Sequence, residues 1–278
     1  MRPRDGGHAW GWEPDVLGRA GALIVAHRGA SRCAPENTLA AFRLALEQGT
    51  RAVECDVRVT KDGELVVIHD ATVDRTTDGS GLVSALPLDA IRGLDAGRWF
   101  GADFARERVP VLEEVLTLVR GRALIQVEIK NEPISGGGIE ARVVSALADT
   151  GMEGGALVMS FHHESIRIVR SLRSGLATGI LYAARPADFV SSARKAGATA
   201  LCLEWKSLDR EVVAGARGAG LGVCVWTVDD EAAFRRCQEL GVDAVASNDP
   251  SLLFRLAGEG ADAPRGAGAG PDPGSGAS

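Results

Sequence analysis

Two histidines, three carboxylates and two cations stand at the ends of short apolar runs in the first half of this chain. IVAH is followed by Arg28, VECD ends in Glu54 and Asp56, ELVVIH leads to Asp70, and ALIQVEIK ends in Glu128 and Lys130. A strand that needed only burial would not finish in ionisable groups, whereas parallel α/β folds keep their chemistry at the C-terminal ends of strands. Residues two apart on a strand share a face. Glu54 and Asp56 therefore point one way with Cys55 opposite, and Glu128 and Lys130 repeat the arrangement. If the strands line a common interior, three carboxylates meet there. Two arrangements relieve their repulsion: a hard divalent cation held through oxygen, Mg²⁺ or Ca²⁺, or pairing with Arg28 or Lys130 and no metal.

A lone histidine is more often a satisfied core residue than a catalyst. His27 and His69, both at strand ends and near a candidate cation site, instead suit proton transfer at neutral pH. Arg28 offers a fork of donors to phosphate oxygens and Lys130 a point charge; the alternative for both is a structural ion pair. With a dication bound, the carboxylates and these two cations leave a single positive charge, which suits a ligand carrying one negative charge. Phe161 and Trp226 either pack in the core or wall a pocket. Glu204 and Trp205 end another strand and are candidates for selecting a leaving group. His162 and His163 open a predicted helix and are expected in solvent.

The order of the fragments carries more than any one of them. H-R-G, P-E-N-T, E-x-D, T-K-D-G, V-I-H-D and V-E-I-K in succession resemble the glycerophosphodiester phosphodiesterase family. Ser160-Phe161, Val225-Trp226-Thr227 and Gly241-Val242-Asp243 extend the likeness over about 23–253. The resemblance implies an α/β fold, a TIM-like (β/α)8 barrel of the phospholipase C-like phosphodiesterase type, with a small lid insertion after the third strand. It implies metal-dependent hydrolysis of glycerophosphodiesters to sn-glycerol 3-phosphate and an alcohol. On the matching positions, Glu54, Asp56 and Glu128 would hold one divalent cation, and His27 and His69 would be the catalytic pair, with His27 as base and His69 as acid or the two roles exchanged. Arg28, Lys130, Phe161 and Trp226 would bind the substrate. The nucleophile is water or the substrate's own 2-hydroxyl, with the metal as Lewis acid and charge clamp. Asp70 is expected to orient a neighbour or cap a turn. Gln126 stands where the family usually has Asn, Cys33 where a smaller residue is common, and SNDP replaces TDRP at 247–250. None of these departures is expected to touch a proposed ligand.

Other readings remain. Lysophospholipase D-type cleavage of a lipid diester should need an apolar lid, which 71–111 does not obviously supply. A non-catalytic phosphate-ligand binding barrel should have lost a histidine or a carboxylate. A metal-free phospholipase C-like barrel would put a cation where these carboxylates stand, and a Schiff-base aldolase on Lys130 would leave the other groups idle.

The elements that must position these groups follow from the apolar pattern. A chain of 278 residues suits one α/β barrel, which needs about 250. The net charge of −6 argues against a polyanion binder, so no nucleic-acid partner is expected. Five cysteines without a C-x-x-C pair, three of them within apolar runs, read as buried free thiols. No run approaches the roughly 18 apolar residues of a membrane helix, so a cytoplasmic protein without stable membrane association is expected, its partner a small molecule. Residues 1–20 read as an arm, 21–257 as the barrel with the 71–111 insertion, and 258–278 as a disordered Gly-rich tail. Besides three early runs, strands are expected at 123–129, 156–160, 177–182, 199–203, 222–228 and 243–247, with helices between them. That makes nine strand candidates for eight barrel positions. Asp56 and His69 must also reach the same end with twelve residues between them, too few for a helical crossover. The expectation is that 57–60 returns in extended form, 61–63 turns, and 64–69 rises again.

Overall fold

The computed structural model describes residues 21–131 and 137–258; the expected N-terminal arm and the tail beyond Gly258 lie outside the described residues. Nine strands are found among those described: β1 Leu23–His27, β2 Ala52–Val59, β3 Leu65–Val67, β4 Leu124–Ile129, β5 Ala156–Ser160, β6 Ala177–Tyr182, β7 Ala200–Glu204, β8 Gly222–Trp226 and β9 Ala244–Ser247. Eight of them pair in parallel in the order β1-β2-β4-β5-β6-β7-β8-β9, and β9 returns to β1. The sheet is thus a closed barrel without free edges. Its strands are buried on both faces, which is why they read as near-continuous apolar runs. Helices α1 Leu39–Glu47, α3 Leu112–Val119, α4 Ile139–Asp149, α5 His163–Leu172, α6 Phe189–Ala196, α7 Arg210–Gly218, α8 Glu231–Leu240 and α9 Pro250–Leu256 surround it, and a short α2, Leu88–Gly93, lies in the 71–111 segment.

Local chemistry sets the helix ends. Asp188, Asp209, Asp230 and Asp249 each accept a backbone N–H from the first turn of α6, α7, α8 and α9. Gly197 and Gly241 close α6 and α8 with left-handed backbones at φ 69° and 70°. Ile125, Val127 and Ile129 of β4 pack outward under α3 and α4, while Met159, Leu181, Cys202 and Cys224 fill the barrel interior.

The ninth strand is β3, and it departs from the expected path. No helix separates Asp56 from His69, but the chain does not turn back after Asp56. β2 continues to Val59 because Val57 stays in the ladder opposite Ile129 of β4. The turn follows at Gly63, whose N–H bonds the Thr60 carbonyl at 3.1 Å. β3 then descends antiparallel to β2, with Val59 opposite Leu65 and Val57 opposite Val67. His69 is delivered from above the barrel mouth, with the Ile68 N–H on the Asp56 carbonyl at 3.0 Å. The 71–111 segment packs on this hairpin through its own small core of Val73, Val83, Ile91, Ala96 and Val109 against Val66 and Ile68.

Candidate active site

The first βα connection shows how a short motif positions several groups at once. Glu36 accepts from Arg28 Nη1 at 2.9 Å. The Asn37 amide donates to Asp56 Oδ2 at 2.8 Å and its oxygen accepts the Asp56 N–H at 3.3 Å. Thr38 caps α1. Asn37 sits at φ 59°, a left-handed backbone that Asn tolerates better than most residues. Gly29, at φ 81°, lets the chain pass α1, since a Cβ there would lie 2.6 Å from the Ala41 carbonyl carbon.

Eight of the nine sequence-predicted site residues line one cavity of about 240 Å³: His27, Arg28, Glu54, His69, Glu128, Lys130, Phe161 and Trp226. Asp56 lies fully buried beside them. As the two-residue spacing requires, Glu54 and Asp56 face inward while Cys55 packs outward. Phe161 and Trp226 meet edge to face at 5.7 Å, and the Lys130 ammonium stands 5.8 Å from the Phe161 ring.

Glu54, Asp56 and Glu128 bring one oxygen each within 4.8 Å of the others. Lys130 pairs with Glu128 at 2.5 Å and with Asp56 at 3.2 Å, and Arg28 pairs with Asp56 at 3.1 Å. These pairs do not neutralise the trio, because Arg28 is shared with Glu36. Among the described residues Glu54 Oε1 is buried without a hydrogen-bond donor. Burial, and then the Asp56 charge, push the Glu54 carboxyl well above the usual range. Burial raises Glu128 to about 7 against the pull of Lys130. Asp56 stays low, since Lys130 and Arg28 outweigh its burial. An all-oxygen, buried, under-neutralised trio is a fit for one hard divalent cation.

The two histidines have different partners. His27 Nδ1 lies 2.7 Å from Asn248 Oδ1, and Asn248 donates its amide to Asp229 at 2.6 Å. With that amide consumed, Asn248 presents its oxygen, so His27 carries its proton on Nδ1 and leaves Nε2 as an acceptor 3.9 Å from Glu54. Burial, and then Arg28, lower His27 to about 4. His69 Nδ1 faces the Asp70 carboxylate at 2.7 Å; burial, joined by the Lys130 and Arg28 charges, lowers its pKa against the Asp56 charge and the Asp70 hydrogen bond.

Several residues escaped sequence reasoning. Arg58, on the same face as Glu54 and Asp56, donates to the His69 and Lys130 carbonyls; the two-residue spacing could have found it. Asn248 lies in one of the departures that was not expected to touch a proposed ligand, yet it bonds His27, and Gln126 lines the cavity. Glu204 and Trp205 do not line that cavity. His162 and His163 are half-buried rather than solvated, against Ser165 and the Leu181 carbonyl.

A closed (β/α)8 barrel with histidines, carboxylates and cations gathered at its strand ends defines a barrel hydrolase built for an anionic ester. Residues 27–252 match the model of the glycerophosphoryl diester phosphodiesterase family. The chain is 39% identical over 239 residues to a glycerophosphodiester phosphodiesterase of Caldanaerobacter subterraneus, covering 86% of this chain and 98% of that one. An Oleispira antarctica phosphodiesterase solved with the product sn-glycerol-3-phosphate superposes with a TM-score of 0.77 at 30% identity, over 84% of this chain and 96% of that one. A glycerophosphodiester phosphodiesterase of Agrobacterium tumefaciens gives 0.75 at 34% identity, over 84% and 99%. This chain belongs to the glycerophosphodiester phosphodiesterase family, and it is an enzyme that hydrolyses glycerophosphodiesters.

Proposed function

We propose that the enzyme releases sn-glycerol 3-phosphate and an alcohol, with His27 as base, His69 as acid and one cation, Mg²⁺ or Ca²⁺, on Glu54, Asp56 and Glu128. The observation that carries this reading is the neutral Nε2 of His27 turned toward a buried carboxylate trio that its ion pairs leave under-neutralised. The product in the Oleispira antarctica neighbour supports it. When bound, the cation supplies Lewis-acid polarisation and charge neutralisation. Arg28 and Lys130 hold the phosphoryl oxygens, and Phe161 and Trp226 wall the glycerol side. His27 takes the proton of the attacking hydroxyl at Nε2. His69, whose protonated form is stabilised by the Asp70 carboxylate, gives a proton to the leaving alkoxide as its bond to phosphorus breaks. No helix among the described residues is long and apolar enough to cross a membrane. The five cysteines are free, four of them buried as expected and Cys33 exposed in the loop after β1; free thiols fit a reducing compartment, which supports a cytoplasmic location.

Phosphorus NMR of the purified protein with glycerophosphocholine tests the reading. Glycerol 3-phosphate should form with Mg²⁺ or Ca²⁺, stop with EDTA, and fail to form in His27→Ala. An intact diester under both metals would sink the proposal. A transient cyclic phosphate would identify the substrate's 2-hydroxyl as nucleophile.

A further inference from the structure

One guanidinium outside the cavity lining touches the partners of two lining residues, His69 and Arg28. Arg75, from the 71–111 segment, donates Nε to Asp70 Oδ2 at 2.7 Å and Nη2 to Asp70 Oδ1 at 3.1 Å. Its other edge donates Nη1 to Glu36 Oε2 and Nη2 to Glu36 Oε1, both at 2.8 Å. Asp70 Oδ1 in turn faces His69 Nδ1 at 2.7 Å, and Glu36 Oε1 accepts from Arg28 Nη1 at 2.9 Å.

We propose that Arg75 is a positioning residue for this reaction, setting the ring of His69 through Asp70 and the guanidinium of Arg28 through Glu36. The His69 side chain is 33% exposed, so packing alone does not hold its ring. A carboxylate pinned at both oxygens fixes Nδ1 as the donor and leaves Nε2 for the cavity. Glu36, held from the same guanidinium, keeps Arg28 from folding fully onto Asp56. A planar fork with donors on two edges can bridge two carboxylates in this way, whereas an ammonium cannot. The inference rests on the reading of His69 as the acid.

The test compares glycerophosphocholine, whose alkoxide needs a proton to leave, with a p-nitrophenyl glycerophosphodiester, whose phenolate does not. In Arg75→Ala, kcat should fall roughly tenfold or more on the choline diester and about threefold or less on the aryl diester. Asp70→Asn should show the same discrimination with KM unchanged, while Arg75→Ala should also raise KM through Arg28. Arg75→Lys should keep most of the loss. Equal loss on both substrates, no loss on either, or wild-type kinetics in Arg75→Lys would overturn the inference. His69→Ala separates it from its premise. If His69→Ala discriminates between the substrates and Arg75→Ala does not, the positioning role alone fails. If His69→Ala does not discriminate, the acid assignment fails and the inference falls with it. Arg75 is 45% exposed, and a melting curve for each variant excludes misfolding as the cause.

Discussion

His27 illustrates how a side chain's role follows from the partner of its far nitrogen. Its Nδ1 meets a neutral amide oxygen rather than a carboxylate, because Asp229 consumes the Asn248 N–H donors. Asn248→Ala should therefore leave the ring free to rotate and exchange tautomers, lowering kcat about tenfold or more with little change in KM; steady-state kinetics check this. Among the carboxylates, Glu128→Gln removes a charged oxygen donor that a hard cation needs. It should weaken Mg²⁺ or Ca²⁺ binding by about tenfold or more in calorimetric titration, and activity should return only at raised metal concentration. Two-residue spacing made it legible in advance that Glu54 shares a face with Asp56 and Glu128 with Lys130; that this face is the barrel interior came from closure of the sheet. The partners Asn248 and Asp229 were not legible, since more than two hundred residues separate Asn248 from His27.

At the scale of elements, the P-E-N-T turn and the β2–β3 hairpin hold the site. Gly29 is the tightest point of the first connection. Gly29→Ala would add a Cβ 2.6 Å from backbone and place a side chain at φ 81°. It should cost roughly 3 kcal/mol, seen as a lower urea midpoint with an unchanged slope. The helix caps are more modest: Asp230→Ala, which removes the acceptor for the Ala233 N–H, should cost about 1 kcal/mol. The hairpin shows the limit of reading strands one at a time. The twelve-residue gap, too short for a helical crossover, correctly implied an extended path and a turn between Asp56 and His69. Periodicity could not say whether the strand pairs ascending or descending, because alternation is the same in both directions.

For the molecule as a whole, the buried acidic trio couples stability to pH and metal. The folded pKa of Glu128 is raised to about 7, above the unfolded value of about 4.3. The metal-free protein therefore holds a proton that the unfolded chain releases, and the stability it confers is lost as pH rises from about 4 to about 7. A divalent cation held by the ionised trio, as proposed above, would cancel that loss. The gain in melting temperature on adding Mg²⁺ or Ca²⁺ to EDTA-treated protein should thus be larger at about pH 8 than at about pH 5. A gain independent of pH would show that Glu128 does not ionise on binding.

The sequence by itself determined the alternation of strands and helices, the family, and the shared face of each strand-end pair, because these depend on local periodicity and motif order. Closure of the sheet was implied by resemblance, but the choice of β3 as the strand outside the barrel needed the pairing of distant backbones. The charge balance of the trio, the amide behind His27 and the Arg75 bridge between Glu36 and Asp70 were decided by tertiary structure alone. Hydrogen bonds and burial there join residues that no sequence window contains.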